Sequence, residues 1–123
     1  MVTAPLLSIV DDDESVREAL PDLLREFGFA VEVFSSAEEF LASDACSRTR
    51  CLVLDIRMPG MSGLDLQREL VHRRHAIPLV FITADRDEKL CSRLTAEGAV
   101  DCLFKPFSET ALVDAVNAAL RRG

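Results

Sequence analysis

The chain has 123 residues and a mass of 13.6 kDa, which suits a single domain with its own hydrophobic core. Its formal net charge of −7 argues against direct binding of this chain to nucleic acid or to an anionic membrane surface. No apolar run approaches the roughly 20 residues of a membrane span, and the N-terminus lacks the pattern of a signal peptide. We therefore expect one cytoplasmic domain over residues 1–123.

Short apolar segments separated by turn residues recur along the chain, which predicts strands buried in a sheet. A segment with apolar residues at helical spacing follows each of them, which predicts amphipathic helices. The predicted strands are Leu6–Val10, Ala30–Phe34, Cys51–Asp55, Ile77–Ile82 and Val100–Phe104. The predicted helices cover residues 14–27, 37–44, 63–74, 86–97 and 109–120.

Polar side chains in front of these helices predict where the helices begin. Asp13 is the expected N-cap of the first helix. Ser36 with Glu39, and Asp85 with Glu88, have the spacing of a capping box in front of the second and fourth helices.

The alternation of strands and helices predicts an α/β protein with a parallel sheet covered by helices on both faces. Right-handed crossovers leave few topologies, and the favoured one is a flavodoxin-like (βα)5 three-layer sandwich with strand order 2-1-3-4-5. Ligands of such sheets bind beyond the carboxyl ends of the strands, where the first and third strands part.

Five polar residues fall at those carboxyl ends: Asp11, Asp12, Asp55, Thr83 and Lys105. Three carboxylates in one cleft repel each other, and an all-oxygen ligand set favours Mg²⁺ or a similar hard cation. Lys105 and Thr83 supply a positive charge and a hydroxyl donor for a phosphoryl group, which makes Asp55 a candidate nucleophile. The alternative is that the acidic residues only complement a helix dipole and that Thr83 and Lys105 are ordinary loop residues.

The arrangement of these residues resembles the receiver domain of response regulators in two-component signalling, over essentially the whole chain. Four motifs in this order carry the resemblance: Val10–Asp13, Leu54–Gly63, Ile82–Ala84 and Phe104–Phe107. Their details are similar to receivers that precede a LuxR-type helix-turn-helix output domain.

The resemblance implies a phosphorylation-activated switch rather than a conventional enzyme. Asp55 would accept a phosphoryl group from a histidine kinase, and Thr83 and Lys105 would contact that group. The Mg²⁺ ligands would be Asp11, Asp12, Asp55 and the backbone carbonyl of Arg57. The domain would catalyse its own phosphorylation and dephosphorylation. The surface of its fourth helix, fifth strand and fifth helix would then control a homodimer or a DNA-binding output domain, and through it transcription.

Two features qualify this resemblance. Three residues before the lysine, relatives carry Tyr or Phe as a switch residue, whereas this chain carries Cys102. Phe104 lies on the same strand face and could replace that ring. Arg57 and Asp85 have opposite charges at positions where the family controls access of water to the aspartyl phosphate, so we expect them to pair across the pocket mouth.

The four cysteines, Cys46, Cys51, Cys91 and Cys102, show no C-x-x-C spacing. We predict that most are small buried residues in a reducing compartment rather than disulfide partners. For Cys102 we expect a structural thiol, and the alternative is a redox sensor.

Two other functions remain to be weighed. A phosphatase of the haloacid dehalogenase type also uses Asp, Thr, Lys and Mg²⁺, but its D-x-D motif would need Asp where this chain has Arg57, and the acidic pair would come last. A pseudo-receiver would keep the fold as a binding module without phosphorylation.

Overall fold

The computed structural model describes residues 4–122, which form five strands and five α-helices in alternation. The strands are β1 (Leu6–Val10), β2 (Ala30–Phe34), β3 (Cys51–Asp55), β4 (Leu79–Thr83) and β5 (Asp101–Phe104). The helices are α1 (Glu14–Glu26), α2 (Ala37–Ala42), α3 (Gly63–His72), α4 (Glu88–Ala96) and α5 (Glu109–Arg122). A short 3₁₀ helix at Ala45–Ser47 connects α2 to β3.

The five strands form one parallel sheet in the order β2-β1-β3-β4-β5. This confirms the predicted flavodoxin-like topology. The central strands β3 and β4 are buried along their whole length, as expected of near-continuous apolar segments in a sheet covered on both faces. Because β1 and β3 are neighbours, their carboxyl ends lie side by side.

Alternating residues of the strands feed two separate hydrophobic cores. One core includes Phe40 of α2, Leu66 of α3 and Leu94 of α4, packed on the same face of the sheet as Phe81. The other core packs α1 and α5 on the opposite face. Each fully buried Leu or Phe contributes about 1.5–3 kcal/mol of transfer free energy, so the two layers hold the sheet edge in place.

Two of the predicted helix caps are present in the structure, one of them without its reciprocal contact. Asp13 is the N-cap of α1 as predicted, and its carboxylate accepts the backbone N–H of Ser15 at 3.0 Å. Ser36 caps α2 by accepting the N–H of Glu39 at 3.0 Å. The reciprocal half of the expected capping box is absent from α2, because the Glu39 carboxylate accepts the hydroxyl of Ser35 instead.

The predicted start of the fourth helix at Asp85 is wrong. Asp87 is the N-cap of α4, and its carboxylate accepts the N–H of Leu90 at 3.0 Å. The carboxylate of Asp85 pairs with Arg57, while its backbone N–H donates to the Thr83 hydroxyl. Because its carboxylate is engaged by Arg57, Asp85 does not cap α4.

The last two strands each begin later than predicted. β4 begins at Leu79 rather than Ile77, because Pro78 has no N–H to donate to a sheet ladder. β5 begins at Asp101 rather than Val100. The N–H of Val100 still donates to the Leu79 carbonyl at 2.8 Å, so this difference concerns the boundary and leaves the register unchanged.

The cysteine prediction is wrong for one pair and confirmed for the other. Cys91 of α4 and Cys102 of β5 form a disulfide, with their Cα atoms 5.5 Å apart. Within the described residues, Cys46 and Cys51 are free and buried, and burial raises the pKa of the Cys51 thiol to about 12. A separation of 11 residues gave no sign of the disulfide, because only the packing of α4 against β5 brings the two thiols together.

None of the helices within residues 4–122 combines the length and the apolar character needed to span a lipid bilayer.

Candidate functional site

The carboxyl end of β1 carries a buried and an exposed carboxylate next to each other. Asp11 has no exposed surface, whereas Asp12 is exposed. The Asp11 side chain accepts the N–H of Asp13 at 2.9 Å, and the Asp11 carbonyl accepts the guanidinium of Arg17 at the same distance. The first turn of α1 therefore fixes Asp11 in one orientation.

Asp55 is the last residue of β3 and is only 6% exposed. The segment after it turns back over the sheet edge, where the N–H of Gly63 donates to the Ile56 carbonyl at 2.8 Å. A Cβ atom at position 63 would collide with the backbone carbonyl of Asp55. Gly63 is therefore required for the close approach that holds Asp55 at the edge.

Asp11, Asp12 and Asp55 converge as predicted. Each offers a carboxylate oxygen, and these atoms lie within 4.8 Å of one another. A set of three carboxylate oxygens, one of them solvent-exposed, fits a hard divalent cation such as Mg²⁺ that keeps part of its water shell. The donor chemistry thus matches the predicted ion. The carbonyl of Arg57 remains a predicted ligand.

Lys105 provides the positive charge of the site. Its Nζ atom lies 2.8 Å from Asp11 Oδ2 and 3.7 Å from Asp55 Oδ2. Its backbone N–H donates to the Thr83 carbonyl at 2.8 Å, which ties the ends of β4 and β5 together, and the Lys105–Pro106 peptide bond is cis. Burial disfavours the charged amine, but the hydrogen bond to Asp11 and the nearby carboxylate charges outweigh it and raise the Lys105 pKa.

The pKa of Asp55 is raised to about 7. Burial is the largest cause, followed by the negative charge of Asp11 and a hydrogen bond between the two carboxyls. The amine of Lys105 and the backbone N–H of Arg57 act in the opposite direction. Without a cation, Asp55 therefore holds a proton near neutral pH, which a metal ion would displace on binding.

Thr83 completes the pocket at the end of β4. It is 2% exposed, and its hydroxyl oxygen accepts the N–H of Asp85 at 3.1 Å, which leaves its proton free to donate. A cavity of about 320 Å³ opens beside it. The cavity is lined by Asp55, Arg57, Thr83, Ala84, Asp85 and Lys105.

The predicted pair of Arg57 and Asp85 is present at the mouth of this cavity. Arg57 Nε lies 2.6 Å from Asp85 Oδ2, and both side chains are more than half exposed. An exposed pair of this kind contributes about 0–1 kcal/mol to stability. Its main effect is therefore to place two charged side chains over the entrance of the cavity.

Two residues of β5, Phe104 and Cys102, make side-chain contacts that the sequence did not predict. Phe104 is half-buried, and the Arg86 guanidinium lies over its ring with Cζ 5.6 Å from the centroid. Phe104 is in register with Thr83 in the parallel pair of β4 and β5, so the two residues are neighbours across the sheet. Cys102 is bonded to Cys91, which corrects its interpretation as a free structural thiol. No motif or spacing in the sequence indicated that Arg86 contacts Phe104 or that Cys91 bonds to Cys102.

The fold and the residues at its carboxyl edge define a flavodoxin-like signalling domain of the receiver class. The chain belongs to the response regulator receiver domain family, whose model matches residues 7–117. Membership of this family argues against the phosphatase alternative.

Three relatives show how far the similarity extends. The chain is 46% identical over 118 residues to the response regulator protein TodT of Pseudomonas putida, covering 96% of this chain and 52% of TodT. It is 42% identical over 111 residues to the transcriptional regulatory protein FixJ of Rhizobium meliloti, covering 90% of this chain and 54% of FixJ. The solved structure of the response regulator StyR superposes with a TM-score of 0.89 at 48% identity, covering 98% of this chain and 61% of that one. The chain thus spans about half the length of the curated relatives it matches.

Proposed function

We propose that this domain is a phosphorylation-activated switch that accepts a phosphoryl group from a histidine kinase onto Asp55. The observation that carries the proposal is the convergence of three carboxylates within 4.8 Å, with the Lys105 amine in contact with two of them. Membership of the receiver family supports the same chemistry.

The side chains have separate tasks in this proposal. A carboxylate oxygen of Asp55 attacks the phosphorus atom, and the P–N bond to the kinase histidine breaks as the new P–O bond forms. The amine of Lys105 neutralises a phosphoryl oxygen, and the Thr83 hydroxyl donates its free proton to another. The ion would be held by the carboxylates of Asp11, Asp12 and Asp55 and by the Arg57 carbonyl. When bound, Mg²⁺ neutralises charge on the phosphoryl oxygens.

The reverse reaction needs a water molecule that approaches the aspartyl phosphate from the cavity side. Arg57 and Asp85 pair at the mouth of that cavity, so we assign them control of this approach. The domain would then set the lifetime of its own phosphoryl group, with no other substrate to turn over.

The phosphoryl group would act on the rest of the domain through Thr83. When the hydroxyl turns toward the phosphoryl oxygen it gives up its contact with the N–H of Asp85, which lies in the loop leading to α4. The surface formed by α4, β5 and α5 would shift between two states, as expected for a charge added to a bistable domain. We propose that this surface forms a homodimer or contacts a DNA-binding output domain, because relatives such as FixJ are transcriptional regulators. A cytoplasmic location belongs to the same proposal.

Intact mass spectrometry after incubation with acetyl phosphate tests this function. Wild type should gain one phosphoryl group only when Mg²⁺ is present, and the adduct should be stable to acid and labile to base. Asp55→Asn should gain none, whereas Asp114→Asn, which changes an exposed carboxylate on α5, should label like wild type. Absence of an adduct from folded wild type would contradict the proposal and favour the pseudo-receiver.

A further inference from the structure

The disulfide between Cys91 and Cys102 joins α4 to β5 at the edge of the sheet. Cys91 lies in α4 and Cys102 in β5, and both residues are half-buried and therefore within reach of small molecules from solvent. Their Cα separation of 5.5 Å lies within the range that disulfides require.

Few side chains of α4 are fully buried. Leu94 is the one buried side chain of α4, whose residues are all described, whereas α5 buries five. A helix with so few buried side chains opens locally at low free-energy cost. The covalent link therefore adds to the contacts that Leu90 and Leu94 make with the core in holding α4 against the sheet.

The link also lies close to the phosphorylation site. Cys102 is three residues before Lys105, and α4 follows the loop that leaves Thr83. Any rearrangement of that loop on phosphorylation must move α4 relative to β5 or be resisted by the link.

We propose that Cys91 and Cys102 form a reversible thiol–disulfide modification site that is oxidised by hydrogen peroxide and reduced by a dithiol. The closed link fixes α4 on β5, and the open pair lets α4 move. The consequence for Asp55 rests on the proposed function, whereas the thiol chemistry and the ordering of α4 do not.

The chemistry balances with these two reagents. In the oxidation one cysteine thiol gives up its proton, and the thiolate attacks peroxide. The O–O bond breaks, a sulfenic acid forms, and the departing hydroxide takes up that proton to become water. The second thiol then attacks that sulfur and expels a second water, so two thiols lose two protons and two electrons to one peroxide. In the reduction a dithiol attacks the disulfide, passes through a mixed disulfide and leaves as its own cyclic disulfide.

The other two cysteines do not compete for this chemistry. Cys46 and Cys51 are buried and free, and burial raises the pKa of both thiols, which lowers the fraction of reactive thiolate. They also provide a control within the same chain.

Thiol counting tests the site first. After peroxide treatment, unfolding and alkylation, wild type should carry two alkyl groups, against four after treatment with dithiothreitol. Peptide mapping should find Cys91 bonded to Cys102. Four alkyl groups after peroxide, or a bond between other cysteines, would overturn the proposal.

Hydrogen exchange tests the mechanical consequence in the same 123-residue chain. Amides of α4 should exchange about 10-fold or more slowly in oxidised than in reduced wild type. Cys91→Ser should exchange at the reduced rate under both conditions, and Cys46→Ala should respond like wild type. Circular dichroism checks that each variant is folded. Equal exchange in the two redox states of wild type would reject the proposal.

A labelling arm separates this inference from the proposed function. Oxidised wild type should label with acetyl phosphate at least about 3-fold more slowly than reduced wild type, and Cys91→Ser should show no difference. No labelling in any form would reject the proposed function. Equal labelling rates in the two redox states would reject the redox control.

Discussion

Lys105 Nζ lies 2.8 Å from Asp11 Oδ2, although the two residues are 94 positions apart in the chain. The same amine is 3.7 Å from Asp55 Oδ2, so it compensates Asp11 more closely than Asp55. Burial and the negative charge of Asp11 raise the pKa of Asp55 to about 7, and the more distant amine opposes this shift only in part. An ordinary exposed Asp is ionised at neutral pH, so the buried position of Asp55 at the sheet edge destabilises its ionised form.

The raised pKa predicts how the stability of the metal-free domain depends on pH. Because folded Asp55 binds its proton more tightly than the unfolded chain does, this contribution to stability is largest below the unfolded pKa and falls as pH rises toward 7. Between pH 5.5 and 8 the loss from this group should be about 2 kcal/mol. The measurement is urea unfolding with a chelator present at both pH values.

Asp55→Asn should remove most of that pH-dependent loss, and Asp114→Asn should keep it. Adding Mg²⁺ at pH 8 should restore stability to wild type and not to Asp55→Asn, because the ion compensates the ionised carboxylate. If the free energy of unfolding of Asp55→Asn falls with pH as steeply as that of wild type, groups other than Asp55 cause the pH dependence.

The residues at the sheet edge were predictable because two rules combine there. Apolar periodicity located the strands, and a parallel sheet brings their carboxyl ends together, so Asp11, Asp55 and Thr83 had to be neighbours. Neither rule depends on the details of side-chain packing.

Features that depend on packing between elements were not predictable. The disulfide between Cys91 and Cys102 depends on how α4 is rotated about its axis over β5. Asp85 and Asp87 both suit a helix N-cap, and the contact of Asp85 with Arg57 decides between them. Such choices are made by tertiary contacts rather than by local sequence preference.

A side chain at position 63 should distort the site more than it unfolds the domain. In Gly63→Ala the new Cβ meets the backbone carbonyl of Asp55, which cannot move without displacing the acceptor. We expect a loss of about 1–3 kcal/mol in the free energy of unfolding, together with labelling by acetyl phosphate slowed by 10-fold or more. Urea unfolding and intact mass spectrometry measure the two effects.

Gly98→Ala is the matched control for that variant. Gly98 has a φ of +117°, so alanine is strained there, but its Cβ would meet nothing within 4 Å. It should cost about 1–2 kcal/mol and leave labelling unchanged. Equal labelling by Gly63→Ala and Gly98→Ala would mean that Gly63 serves stability alone.

The pair of Arg57 and Asp85 should govern the lifetime of the aspartyl phosphate. Replacing both by Ala removes the contact at the cavity mouth, so water should reach the phosphoryl group faster and shorten its half-life by about 2- to 10-fold. Stability should change by less than about 1 kcal/mol, because both side chains are exposed. The half-life follows from the decay of the mass adduct after removal of acetyl phosphate.

Arg73→Ala is the control for loss of a surface ion pair. It breaks the contact of Arg73 with Glu69 at 2.8 Å, on a helix surface away from the cavity lining. Its half-life should match that of wild type. An unaltered half-life in the double variant would reject the role assigned to Arg57 and Asp85.

Phe104 is the remaining candidate for a switch ring, since Cys102 is held in the disulfide. Phe104 is paired with Thr83 across β4 and β5, so a rotation of the threonine side chain would change the space next to the ring. Phe104→Ala should leave labelling of Asp55 unchanged and weaken phosphorylation-linked dimerisation by about 5-fold or more, because an aromatic ring at an interface contributes well over 1 kcal/mol. Sedimentation of the labelled protein across a concentration series measures the dimer. Phe27→Ala, which removes a 53% exposed ring after α1, should dimerise like wild type. A dimer of unchanged strength in Phe104→Ala would exclude the ring from the switch and leave Thr83 to act through the backbone of the loop before α4.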